Sequence, residues 1–203
     1  MEPTLSAPIG AFILFAFTMS ATPGPNNAMV AASGANFGFR RSIPHAAGIA
    51  TGFALMILLV ALGAGAILRA APSIHDALRW VGALYLLWLA VKIARSDPAA
   101  VDPAKQGRPM TMLQAALFQW INPKAWIVTM GAVATYTSTG DNVLGEAALL
   151  AVVFFIVSWP ASAIWIGLGA GAARMLGSPA RLRAFNWLMA GLLVLSLLPT
   201  LAE

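Results

Sequence analysis

Thr22-Pro23-Gly24-Pro25-Asn26-Asn27 interrupts a run, from Pro3 to Phe39, in which no side chain is charged. A helix crossing a bilayer needs only about 20 apolar residues, so the run is long enough to span. It cannot be one continuous helix. Each proline lacks an N–H and clashes with the turn before it, and the glycine adds backbone freedom. Carbonyls before the break and amides after it lose their helical partners. Such breaks survive in a membrane only where protein or a water-filled cavity surrounds them. Two readings follow: a discontinuous membrane helix around a substrate site, or a proline kink with structural duty only. The two asparagines directly after the break favour the first.

The rest of the chain reads as membrane protein. Of its 203 residues, 60% are hydrophobic and 9% charged, against roughly 25% charged in a soluble domain. The sequence predicts one transmembrane domain over 1–203, all-α, with six spans. Span one covers about Ala7 to Asn36. Span two starts at Pro44, a favoured first-turn position, and ends near Leu68. Span three has its charge-free centre at Trp80 to Val91, with Arg79 and Lys92 snorkelling to opposite faces. A polar, proline-rich loop at about 97–109 divides the chain. Span four covers Met110 to Thr137, span five Ala147 to Ala173 with a kink at Pro160, and span six Ala184 to Leu201. Gly48 and Gly52 form a GxxxG that lets another helix approach, within the chain or in a homodimer.

Span four carries a second break, at Gln119-Trp120-Ile121-Asn122-Pro123-Lys124, and Pro123 stands 100 residues after Pro23. Charge sets the orientation. One set of loops holds Arg40, Arg41, Lys92, Arg95, Lys105, Arg108, Arg174, Arg181 and Arg183, and the opposite set holds Arg69 and Arg79. The basic side faces the cytoplasm, which places both termini outside. Spans one and four then enter from opposite faces. Two three-span halves, about 1–96 and 110–203, make the 3+3 inverted repeat of secondary transporters, with helices 1 and 4 broken. The basic residues thus do topological work, and no nucleic-acid partner is expected despite the net charge of +5. No Lys or Arg precedes Arg40, so a basic signal-peptide n-region is missing.

The chemistry inside the spans is sparse. Lys124 is the basic residue far inside a span, and an intramembrane charge is a functional hypothesis by default. No Asp or Glu falls inside one, there is no Cys, and the two histidines, His45 and His75, each lie near a predicted membrane edge. His45 is a conceivable proton-responsive group, but beside Pro44 it reads first as interfacial. Ligand poverty argues against a metal site, and no cofactor is expected. GxSxG, HExxH and an acid pair within a span are all missing, so no enzyme is expected. What is left suits a small zwitterion. Asn26, Asn27 or Lys124 would meet its carboxylate, and carbonyls freed before Pro23 or Pro123 would meet its ammonium. Candidate site residues are Thr22, Gly24, Asn26, Asn27, Gln119, Asn122 and Lys124, around the structural breaks Pro23, Pro25 and Pro123. Trp120, Trp126, Trp159 and Trp165 suit either a pocket wall or ordinary span packing.

The chain resembles the LysE-type (lysine and homoserine/threonine exporter) translocators. The resemblance rests on Thr22 to Asn27, Gly38-Phe39-Arg40, Gly48 with Gly52, Trp80 to Leu86, and Asn122-Pro123-Lys124-Ala125, in order over nearly the whole length. It implies export of amino acids or their derivatives across the bacterial inner membrane, driven by an ion gradient. Gln119-Trp120 stands where many members carry a small or apolar pair. With Phe39-Arg40 and Trp88 to Ala94, this looks nearest the cysteine and O-acetylserine exporter branch. The expected function is secondary export of small amino acids, coupled to a proton or another ion. The alternatives are a passive channel for small polar solutes and a divalent-metal exporter.

Overall fold

The computed structural model describes residues 9–96, 107–138 and 142–198, so the predicted loop falls outside the described residues as far as 106. Among the described residues there are nine α-helices and no strands. They are α1 (Ile9–Ala21), α2 (Pro25–Phe37), α3 (Phe39–Leu59), α4 (Gly65–Ala70), α5 (Pro72–Ala94), α6 (Met112–Phe118), α7 (Pro123–Tyr136), α8 (Val143–Leu176) and α9 (Pro179–Leu195).

Three stretches are individually long and apolar enough to cross a membrane: Phe39–Ala64, Asp76–Ala94 and Val143–Leu176. The others are shorter. α1 and α2 have 13 residues each, or ~20 Å at ~1.5 Å per residue, because the chain leaves the helix between them at Thr22-Pro23-Gly24. Gly24 is fully extended (φ 176°, ψ −177°) and Pro25 opens α2. Between α6 and α7 the chain tightens into a 3-10 turn at Gln119–Ile121. Asn122 is then extended and caps α7, with Pro123 in the first helical position. Asn-Pro thus acts as cap and first turn, the positions these residues favour.

Two predicted boundaries need correction. Span two does not start at Pro44: Gly38 turns the chain (φ 81°) and α3 begins at Phe39, so Pro44 lies inside the helix. Nor does that span run smoothly to Leu68. A π-type turn at Val60–Ala64, with Gly63 at φ 106°, ends α3. Only a residue without Cβ adopts that φ at little cost. Span five, by contrast, is longer than expected. α8 has 34 residues and passes through Pro160 unbroken, about 51 Å of helix.

α8 is the hub, packing against α1, α2 and α3, while α3 also packs on α6 and α5 on α9. Glycines set the closest of these contacts. A Cβ on Gly34 of α2 would overlap the Ile166 carbonyl of α8, and one on Gly169 of α8 would overlap the Ala31 carbonyl. Small residues at such crossings let backbones meet, which drives helix association in lipid. The Gly48–Gly52 face is likewise used within the chain, against Met112, Ala115 and Ala116 of α6.

α2 is the most enclosed element, with ten buried residues from Pro25 to Ala35. Its far end is tied to α9 by a reciprocal amide pair. Asn36 Nδ2 donates to Asn186 Oδ1 at 2.8 Å and Asn186 Nδ2 donates to Asn36 Oδ1 at 3.0 Å. Outward faces are apolar: Ile13, Leu14 and Phe17 on α1, Trp80, Leu84 and Trp88 on α5, and Val152 and Ile156 on α8 are exposed. Lys92 folds its Nζ over the Trp88 ring, 5.0 Å from the centroid, as a snorkelling side chain does.

Candidate functional site

Pro23 and Pro25 lack the N–H groups that would have bonded the carbonyls of Met19 and Ala21, so α1 ends with unmet acceptors. Side chains from α2, α7 and α8 supply donors to the carbonyls at this end. Trp165 Nε1 on α8 donates to Ala21 O at 3.0 Å. Asn27 Nδ2, buried, reaches back to Ser20 O at 2.9 Å and Thr22 O at 2.7 Å. Lys124 Nζ crosses from the second break and donates to Thr22 O at 2.7 Å, with Pro23 O at 3.5 Å. A cation at the C-terminal end of a helix is favourably placed against its dipole. Gly24 makes room for it: a Cβ there would lie 2.9 Å from Lys124 Cδ and 3.2 Å from Nζ.

The breaks are also joined by side-chain amides. Asn26 Nδ2 donates to Gln119 Oε1 at 2.9 Å, and Gln119 Nε2 donates back to Asn26 Oδ1 at 3.2 Å. Gln119 is fully buried and also donates to Ala115 O at 2.8 Å. Asn122 Oδ1 accepts from the Lys124 amide at 3.2 Å, which fixes the start of α7. Removing one partner of a buried amide pair leaves the other unsatisfied, at about 1–3 kcal/mol. Asn26→Leu and Gln119→Leu are therefore each expected to lower the thermal unfolding midpoint in detergent. The double variant should be little worse than either single one. Strictly additive losses would show that the pair does not couple the two breaks.

A small cavity opens at this junction. Its polar wall includes Ser20, Asn26, Asn27, Asn122, Lys124 and Ser158. The apolar wall comes from Met19, Ile49, Phe53 and Phe154. Its volume is about 20 Å³, where a single water needs ~10–15 Å³ on the same measure. In this conformation it is large enough for a water molecule and too small for an amino acid.

Of the residues singled out in the sequence, Gly24, Asn26, Asn27, Asn122 and Lys124 line the cavity. Gln119 stands behind Asn26. Thr22 contributes its backbone carbonyl, while its hydroxyl turns back to Thr18 O. The four tryptophans pack at the edge of the hydrophobic core. Among them, Trp165 caps α1 and Trp126 Nε1 donates to Trp120 O at 2.8 Å. Three polar residues of the wall were missed by sequence reasoning: Ser20, Ser158 and Ser162. Ser158 and Ser162 are spaced i, i+4 around Pro160, which puts them on one face of α8, and that spacing was available as a signal. His45, read from its place beside Pro44 as interfacial, is buried within the protein, 2% exposed.

The family model for LysE type translocators matches residues 17–198. A protein of Salmonella typhimurium named cysteine/O-acetylserine efflux protein is 36% identical over 165 residues, 78% of this chain and 82% of its own. Its namesake in Escherichia coli K12 is 33% identical over the same shares of the two chains. One from Klebsiella pneumoniae is 33% identical over 67% of each. No solved structure matches the chain.

Proposed function

The chain belongs to the LysE-type translocator family, and from that premise we propose that it exports small neutral amino acids or their derivatives, of the cysteine and O-acetylserine kind, across the inner membrane in exchange for protons. The observation that carries this reading is the meeting of two helix breaks, 100 residues apart in sequence, at one small polar cavity. The cavity offers one ammonium, several amides and hydroxyls, and backbone carbonyls at the end of α1. That set matches a zwitterion. The substrate carboxylate takes Lys124 Nζ and an asparagine amide. The substrate ammonium takes the carbonyls that Asn27 and Lys124 now occupy, at the negative end of α1. Ser158 and Ser162 face the substrate's short polar side chain.

In this reading α1 with α2, and α6 with α7, are each one broken span. With the span ending in the π-type turn, α5, α8 and α9 they make six. Packing of α1 on α8 and of α3 on α6 supports two inverted halves, since each joins the first element of one half to the second span of the other. The charge bias of the loops supports external termini. The present cavity is too small for substrate, so transport needs the two breaks to part. Binding energy spent on Thr22 O by Lys124 and Asn27 is returned when substrate replaces them, which keeps that opening affordable.

Counterflow in proteoliposomes tests the reading. Preloaded unlabelled cysteine, O-acetylserine or threonine is expected to accelerate uptake of the labelled compound, and an imposed pH gradient to drive it uphill. No acceleration by any of them, with folded protein, would sink it.

A further inference from the structure

One to two turns beyond the cavity lies a polar pair that the site does not use. His45 of α3 is buried, and its Nδ1 stands 3.3 Å from Ser33 Oγ of α2, itself buried. Among the described residues, His45 Nε2 is a fully buried side-chain nitrogen with no hydrogen-bond partner. An orphan of this kind is destabilising and calls for an explanation. Core packing alone gives none, because a leucine would fill the space without the penalty.

Position supplies one. Ile49, which lines the cavity, is one turn along α3 from His45. Ser33 lies six residues after Asn27 on α2, ~9 Å of helix. In the other direction, Arg40 and Arg41 are exposed at the start of α3. The pair thus sits between the cavity and the basic face. α2 and α6 carry no titratable group. On α7, Lys124 bonds Thr22 O and Tyr136 packs on Phe12 and Phe15. On α8, Glu146 accepts from the Ser138 amide and Arg174 lies in the last turn.

We propose that His45, held by Ser33, is the proton-binding site that couples export to proton entry. The inference rests on the exporter reading and adds to it the place of the coupling ion. Imidazole is the side chain that ordinarily titrates between about pH 5 and 8. In the tautomer whose Nδ1–H donates to Ser33 Oγ, Nε2 presents a free lone pair. A proton arriving there forms the second N–H bond of an imidazolium. It leaves from the same atom when the pair opens to the basic face, and the imidazole returns to neutral. Nothing else is consumed.

The experiment separates exchange from driven transport in one proteoliposome preparation. His45→Gln keeps a donor and an acceptor near Ser33 but cannot carry a proton. It is expected to retain counterflow, which needs no net proton movement, and to lose uphill uptake driven by a pH gradient. Gradient-driven uptake equal to wild type would overturn the assignment to His45 while leaving the exporter reading intact. Absence of counterflow in the wild type would overturn the exporter reading itself, and this proposal with it. If His45→Gln does not fold, Ser33→Ala decides. The expected result is a shifted pH midpoint of driven uptake with counterflow kept, and an unmoved midpoint overturns the proposal.

Discussion

Lys124→Met is expected to abolish export while leaving the amount of protein in the membrane unchanged. The methionine keeps an unbranched stem of similar reach, so the packing against Gly24 survives, where Lys124 Cδ already stands 2.9 Å from the position of a Cβ. Two energies then change. The hydrogen bond to Thr22 O, charge-assisted, is lost at about 1.5–3 kcal/mol. In the proposed broken span, the burden of a lysine at membrane depth, roughly 2.5–3.5 kcal/mol on the insertion scale, is relieved. These nearly cancel, and Asn27 still donates to Thr22 O, so α1 keeps a partner at its end. Stability is therefore not the expected casualty. Transport is, because no other cation lines the cavity among its described residues. The measurement is counterflow normalised to reconstituted protein, read beside the thermal midpoint. Unchanged midpoint with no counterflow supports Lys124 as a substrate ligand. Wild-type counterflow would remove it from the site. A large drop in midpoint would show that it serves only to cap α1.

The breaks themselves could be read from the sequence because their cause is local. A proline has no N–H wherever it is, so Pro23, Pro25 and Pro123 announce where helices end. Asn122 before Pro123 announces a capped restart. Pro44 misled the same argument. It is tolerated inside α3, and the true boundary is set by Gly38, whose positive φ ends α2 and starts α3. Gly63 gave no warning, since a glycine in an apolar run carries no mark of the φ it will adopt. Partners across the fold were beyond any local argument. Gln119 drew notice as part of the second break and as a departure from the family's small or apolar pair, but its pairing with Asn26 over 93 residues depends on how α3 seats α6. His45 is buried for a similar reason: α2 packs over it, and α2 owes its enclosure to glycines on two helices.

That enclosure gives the second large effect. Gly169→Leu is expected to remove nearly all folded protein from the membrane, whereas Gly167→Leu, two residues earlier, is expected to be tolerated. At Gly167 a Cβ meets nothing within 4 Å, while at Gly169 it overlaps the Ala31 carbonyl and lies 3.0 Å from Ala35 N. Both neighbours are backbone of α2, so no side chain can rotate away. Overpacking typically costs about 1–3 kcal/mol, and moving a whole helix belongs at or above the top of that range. The strain also travels to the site, because α2 begins with the asparagines that bridge the breaks. Pushing it off α8 would part Asn26 from Gln119 and Asn27 from Ser20 O. Any Gly169→Leu protein that survives should then lack counterflow as well. The readout is the yield of monodisperse protein after detergent extraction, with Gly167→Leu as the matched control. Equal yields would mean that α2 and α8 do not meet at Gly169, and that the close packing holding the candidate site together lies elsewhere.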